Sequence, residues 1–479
     1  MLDKLFKLKE NKTTVKTEII AGLTTFMTMA YIIALNPNLL VGFEQGNTPL
    51  WKSVFMATCI ASAIGMFAMA FLANKPFAMA PGMGLNSFFA LVVADIASIT
   101  LLSIEESFQA GLCIILIEGI IFIILSVLNV REKIVEAIPL GVRLGISPAI
   151  GIMLMNIGFG SNAGIDNGKT GLENQIFYAM RDFFGALTAK RASDIMGDKY
   201  GTMVLTVITM FVGLFVIVAL AQKGVKAAVI IGMLVASIIY WAGQAIFLDT
   251  NPFASLEGAS FIPPFKDMAE TTLFKFNFEG FMKMGWFTVI TLIVSFCIID
   301  MFDTIGTLVG TASRAGMLDE EGKMPKMKEA LLSDAIGTVV GASTGTSTVT
   351  TFVESASGVE AGGRTGLTAL TTGIIFLACM FIAPIAAIIP AAATSAALIY
   401  VGVLMLSGLK KINFDEIDQC LPVAIMLIAM PISSSIGHAI GLGLISYTVI
   451  KVFTGKAKDV SILTYILSLI FLVKFFLAI

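Results

Sequence analysis

Apolar windows recur along almost the whole chain, near residues 19–38, 51–73, 77–94, 108–129, 141–160, 201–221, 225–247, 285–310, 328–344, 346–360, 366–388, 394–409, 419–432, 435–453 and 460–478. A bilayer core takes about 20 apolar residues per helix and tolerates no exposed, unpaired backbone. A chain patterned this way is expected to fold as an all-α polytopic membrane protein. Composition agrees: 57% of the 479 residues are hydrophobic and 13% are charged, the latter about half the globular share. Several windows are short, rich in Gly or broken by Pro, so their ends are less defined than their existence.

Charge placement gives orientation. The N-terminal stretch MLDKLFKLKENKTTVKTE is basic and amphipathic, and reads as a cytoplasmic arm rather than a signal peptide. With that arm inside, Lys75, Arg131, Lys133, Arg143, Lys223, Lys226, Arg314, Lys323, Lys326, Lys328 and Arg364 all fall inside as well. So do Lys410, Lys411, Lys451, Lys456 and Lys458, with Lys52 the exception among short outer loops. This positive-inside pattern also makes two crossings of residues 419–453, since one crossing would put Lys410 and Lys451 on opposite faces. The last stretch, 460–478, contains Lys474 and is expected as an extra C-terminal helix. Two connectors, 161–199 and 248–284, are long, mixed in charge and expected outside.

The window at 291–310, TLIVSFCIIDMFDTIGTLVG, carries Asp300, Asp303, Thr304 and Thr307. Their spacing of i, i+3, i+4 and i+7 puts all four on one helix face. An acid at the centre of a spanning helix costs about 3 kcal/mol to insert, so this stripe marks a polar interior site. The halves of the chain echo each other around it. The Gly/Thr-rich first span AGLTTFMTMAYIIALNP is followed two segments later by FAMAPGMGLNSFF, and the Asp-bearing span two segments later by STGTSTVTTFVESASG. Pro81, Gly82 and Gly84 interrupt one late segment, and Ser, Thr and Gly interrupt the other. Seven segments per half make the halves inverted, and paired interrupted segments point to a transporter's midplane substrate site. The residues expected to converge there are Asp300, Asp303, Glu354, Asn86 and Ser87, with backbone N–H groups of the half-helices aimed at the centre. Carboxylates accept from N–H donors, and acids held in low dielectric can exchange protons in the physiological range.

Other classes fit less well. Cys59, Cys113, Cys297, Cys379 and Cys420 are scattered without metal or redox spacing, and His438 is the only histidine, read as a packing residue. A membrane enzyme would need a nucleophile or metal cluster, so no enzyme activity, cofactor or metal is expected. The net charge of −2 and the lack of a basic patch speak against nucleic acid. The Gly-Met-Gly at 82–84 lies in no strand–helix nucleotide unit. Glu118, in LIEGIIF, has no polar stripe and is read first as making a structural hydrogen bond.

Four ordered motifs, AGLTTFMTMAYIIALNP (21–37), APGMGLNSFF (80–89), IIDMFDTIGTLVG (298–310) and TTFVESASGVEAGGRTGLTAL (350–370), strongly resemble the AzgA-like purine permeases of the nucleobase–ascorbate transporter superfamily. The resemblance runs from about residue 10 to the C-terminus. It implies a fourteen-helix core of two inverted seven-segment repeats, with short strands breaking helices 3 and 10. Residues 1–129 and 284–390 would form a core domain, 130–250 and 391–454 a gate domain, and 455–479 the C-terminal apolar segment. It further implies a proton-coupled symporter importing guanine, hypoxanthine or adenine across the cell membrane. Carried over by motif, the substrate-binding residues are Asp300, Glu354, Asn86 and Gly84. Asp303, Thr304, Ser87 and Glu118 would support the site or couple the proton. Phe77, Phe88 and Phe352 are the nearby rings that could stack on a base. Purine, proton and membrane lipid are the expected partners, and folds of this kind are commonly homodimers through the gate domains. The rival readings are uracil or xanthine as cargo, or a passive facilitator. An anion carrier would place a basic residue at the site rather than three acids.

Overall fold

The computed structural model describes residues 2–42, 47–128, 138–159, 200–314, 316–319, 324–433 and 436–477. The connector 161–199, together with Arg131, Lys133 and Lys323, lies outside the described residues. The first part of the chain forms α1 (Leu2–Phe6), α2 (Val15–Met29), α3 (Ile32–Val41), α4 (Pro49–Ala68), β1 (Met79–Pro81), α5 (Met83–Thr100), α6 (Ile104–Val127), α7 (Leu140–Phe159), α8 (Tyr200–Gln222) and α9 (Ala228–Phe247). Then follow α10 (Phe265–Thr271), α11 (Phe278–Lys283), α12 (Trp286–Arg314), α13 (Met327–Thr344), β2 (Val349–Thr351), α14 (Ser355–Glu360) and α15 (Gly366–Ala378). The last elements are α16 (Ala391–Met405), α17 (Ile417–Ser433), α18 (Ile436–Phe453) and α19 (Ile462–Leu477). Among the described residues, 10 helical stretches are long and apolar enough to cross a membrane, and α17, α18 and α19 are shorter apolar helices. Residues 419–453 thus form two helices, and the final apolar stretch forms one.

Contacts divide the chain into two compact units, Met1–Val135 with Ser260–Ala387, and Glu136–Ala259 with Ile388–Ile479. In the first unit the helix starts are set by local polar residues. Thr14 accepts from Thr17 N at the start of α2, Thr48 accepts from Trp51 N ahead of Pro49, and Ser103 with Glu106 forms a capping box on α6. The window 19–38, continuous in sequence, is parted at Ala30–Tyr31 into α2 and α3. Pro37 has no N–H for the Ile33 carbonyl, and the break falls in the turn before that lost bond. At the other end of the unit Glu18, fully buried, accepts from Arg364 N (2.9 Å), Thr365 N (3.2 Å) and Thr368 Oγ1 (2.6 Å), capping α15 from α2.

The connector 248–284 is partly ordered onto this unit instead of looping freely. Gln109 Nε2 donates to the Thr271 carbonyl at 2.8 Å, Thr272 Oγ1 to the Thr344 carbonyl at 2.8 Å, and Phe281 is buried. Met268 of α10 and Phe281 of α11 are the apolar side chains these short helices bury. The helices α4 and α13 cross at Gly65 and Gly337, where a Cβ on Gly65 would lie 3.6 Å from the Gly337 Cα. Only this close approach leaves the notch that receives Val349 of β2, whose Cγ1 would stand 3.0 Å from a Cβ on Gly337.

In the second unit α7 packs on α16 and α17, and α8 on α9 and α16. Met210, Ile217, Ala396 and Ile399 form its buried cluster. Lys451 of α18 pairs with Asp418 of α17 at 2.5 Å and with Asp459 at 3.7 Å. The C-terminal helix α19 lies against α18, with Phe471 fully buried and Thr448 and Ser468 joined at 2.9 Å.

Candidate functional site

Two three-residue strands organise the polar interior of the first unit. β1 and β2 pair antiparallel with Met79 opposite Thr351, Ala80 opposite Thr350 and Pro81 opposite Val349. The ladder continues through Gly82 N to the Thr348 carbonyl (3.1 Å) and Phe352 N to the Ala78 carbonyl (3.0 Å). Pro81 and Gly82 on one side, and the β-branched run Val349–Thr351 on the other, are poor helix interiors, so the two broken segments satisfy each other's backbone. Gly82 then caps α5 without a side chain, leaving the first N–H groups of that helix uncapped by any side chain. A Cβ at Gly82 would meet Thr350 Cγ2 at 2.7 Å and Asp303 Oδ2 at 3.5 Å, which puts the Asp303 carboxylate directly against this turn.

Thr304 is the hub of the acids on α12. Its hydroxyl lies 3.0 Å from Asp300 Oδ1, 2.9 Å from Asp334 Oδ1 and 2.7 Å from Thr350 Oγ1. Asp300, Thr304 and Asp334 are fully buried, whereas Asp303 is only half-buried and interacts electrostatically with Asp334 and Glu354. The two aspartates of the stripe differ in burial: Asp300 is fully enclosed, whereas part of Asp303 is exposed. Asp334, on α13, is a site acid that the sequence reading does not single out. The available signal was the one used for Asp300, an acid inside an apolar window, here 328–344.

Glu354 precedes α14 and is half-buried. Tyr31, from the α2–α3 break, donates its hydroxyl to Glu354 Oε1 at 2.7 Å. Asn86, on α5, is fully buried and engaged with protein on both sides of its amide: it donates to Asn36 Oδ1 and accepts from Ser347 Oγ. Asn36 in turn donates to Thr58 Oγ1 (2.8 Å) and Thr346 Oγ1 (2.9 Å). This network ties the first, second, third and tenth segments together, and neither Tyr31 nor Asn36 is marked by sequence pattern. Ser87 bonds back to the Met83 carbonyl at 2.9 Å within its own helix, and Gly84 lies buried in the first turn of α5. Glu118 accepts from Thr348 Oγ1 at 2.8 Å, holding the approach to β2. Among the rings, Phe77 and Phe88 are buried, Phe88 packs on Phe296 with centroids 4.6 Å apart, and Phe352 is 7% exposed.

A family model described as the Permease family (Xan_ur_permease) matches residues 16–440. The adenine permease AdeP of Escherichia coli (strain K12) is 36% identical over 475 residues, covering 99% of this chain and 96% of that protein. The guanine/hypoxanthine permease PbuO of Bacillus subtilis (strain 168) is 36% identical over 486 residues, covering 99% of this chain and 100% of that protein. The guanine/hypoxanthine permease PbuG of the same organism is 36% identical over 478 residues, covering 98% of each. Among solved structures, the transmembrane domain of a cyanobacterium bicarbonate transporter, BicA, superposes with a TM-score of 0.62 at 15% identity, covering 89% of this chain and 97% of that one. That likeness concerns the fold, a membrane-embedded inverted repeat.

Proposed function

The chain belongs to the Permease family, within the purine permeases of the nucleobase–ascorbate transporter superfamily, and from that premise we propose that it imports purine nucleobases in symport with protons. It is an integral multi-pass membrane protein and a transporter, not an enzyme. The purine reading is carried by one observation: two half-buried carboxylates, Glu354 and Asp303, flank a strand pair inside a unit of apolar helices. A neutral heterocycle with N–H donors is the cargo that such acceptors suit. Uncapped N–H groups at the start of α5, among them Gly84, would donate to the ring nitrogens or carbonyl of the base.

Proton coupling is supported by counting hydrogens around Thr304. One hydroxyl proton faces two carboxylate oxygens, Asp300 Oδ1 at 3.0 Å and Asp334 Oδ1 at 2.9 Å. Thr304 donates to one at a time, so the two buried acids compete for its proton, and protonation of either relieves that competition. Loading from the acidic side would therefore close the buried network, and base binding at Glu354 and Asp303 would follow. In this reading the unit Met1–Val135 with Ser260–Ala387 is the substrate-bearing core. The other unit is the gate against which it moves in alternating access, with the N-terminus cytoplasmic. Asp300 acts from behind the site through Thr304, while Asn86 holds the third segment in register with the tenth.

The test is uptake of labelled hypoxanthine by cells lacking their own purine carriers, competed with guanine, adenine, xanthine and uracil. Competition by guanine, hypoxanthine or adenine is expected; competition only by uracil or xanthine would replace the cargo assignment.

A further inference from the structure

Tyr31 is 2% exposed, and among the described residues its hydroxyl has one hydrogen-bond partner, Glu354 Oε1 at 2.7 Å. The pair joins positions 323 residues apart in sequence, from the first and tenth segments. Tyr31 occupies the turn between α2 and α3, so the helix break sets where its ring leaves the backbone. Glu354 is also fixed at its main chain, where its carbonyl accepts from Ser357 N at 2.9 Å. Among the described residues Tyr31 is the one side chain that donates to its carboxylate, which the Glu354 backbone N–H also approaches.

The Tyr31 bond fixes one oxygen of this carboxylate. A glutamate side chain samples many rotamers when free, and ordering it on ligand binding weakens the complex. A buried phenol must donate, and here a carboxylate oxygen is its acceptor. We propose that Tyr31 is a positioning residue that holds Glu354 by Oε1 and leaves Oε2 as the acceptor for an N–H of the transported base. The proposal rests on the purine-site reading of Glu354. It makes the first helix a determinant of substrate affinity without contact between Tyr31 and substrate.

The test uses the full-length protein in proteoliposomes, with initial rates of labelled hypoxanthine uptake for wild type, Tyr31→Phe, Glu354→Asp and the double variant. Phenylalanine keeps the ring and removes only the donor. Tyr31→Phe is expected to raise KM roughly tenfold, the loss of about one hydrogen bond to a charged group, with Vmax kept within about twofold. In the Glu354→Asp background, whose shorter acid withdraws from the hydroxyl, the same change is expected to add nothing. An unchanged KM in Tyr31→Phe, or an equal penalty in both backgrounds, overturns the proposal, because a simple strut would act independently of the acid. Infrared difference spectra give a reading without substrate. The carboxyl band that Glu354→Gln removes should be displaced in Tyr31→Phe, and a band left in place also overturns the proposal. A displaced band together with a wild type that moves no purine would leave the Tyr31 assignment standing and bring down the transport reading instead.

Discussion

Asn86 donates its side-chain amide to Oδ1 of Asn36, so a residue of the third segment is oriented by one of the first. Asn36 completes the arrangement through Thr58 and Thr346. Replacing Asn36 by Ala strands buried polar partners, each costing about 1–3 kcal/mol when unsatisfied. Asn36→Ala is expected to melt several degrees below wild type in detergent and to lose most uptake. Equal melting temperatures would show that the network is dispensable.

Thr304 offers a cleaner separation of chemistry from packing. Thr304→Val keeps the shape and removes the hydroxyl that stands between Asp300, Asp334 and Thr350. Accumulation against a gradient should fall by roughly tenfold or more, since one charge-assisted hydrogen bond is worth about 1.5–3 kcal/mol. Thr304→Ser should restore it. Parallel counterflow measurements, which need substrate binding but no proton gradient, should be affected much less.

Gly82 tests the geometry of the strand pair. Its substitution by Ala drives a methyl against Thr350 Cγ2, 2.7 Å away, and towards Asp303 Oδ2 at 3.5 Å. Overpacking of this kind costs about 1–3 kcal/mol, and here it also displaces the Asp303 carboxylate. A raised KM for hypoxanthine is expected, read from initial rates; an unaltered KM would mean that Asp303 does not face the substrate.

How far the sequence foretold these relationships depends on whether they are periodic. The spans are legible because burial in lipid imposes long apolar windows. The breaks in the third and tenth segments are legible because Pro81, Gly82 and the Val349–Thr351 run are poor helix interiors, while the strands that fill them followed from the family resemblance. Asp300, Asp303 and Glu354 announce themselves as acids in apolar surroundings. Tyr31 and Asn36 do not: each sits in an ordinary apolar window, and its partners lie up to 323 positions away. The difference in access between Asp300 and Asp303 is likewise invisible to helical spacing. It depends on tertiary packing, which gathers Asp300, Asp334 and Thr350 at Thr304.

Away from the site, Glu18 makes a stability prediction with little functional content. Its carboxylate serves Arg364 N, Thr365 N and Thr368 Oγ1 from a fully buried position. Glu18→Ala leaves these donors without their acceptor and should cost about 2–4 kcal/mol, read as a lowered unfolding temperature. Uptake per folded molecule should stay near wild type; a specific loss of transport would assign this latch a role in the cycle.

In the proposed cycle, acids in the first unit couple purine movement to protons. The most direct measurement is labelled hypoxanthine accumulation in proteoliposomes given an acid-outside pH jump, for wild type and Glu354→Gln. Wild type should concentrate the base transiently, a protonophore should abolish the overshoot, and Glu354→Gln should show none. Equilibration without an overshoot in wild type, or an overshoot preserved in Glu354→Gln, would contradict the account.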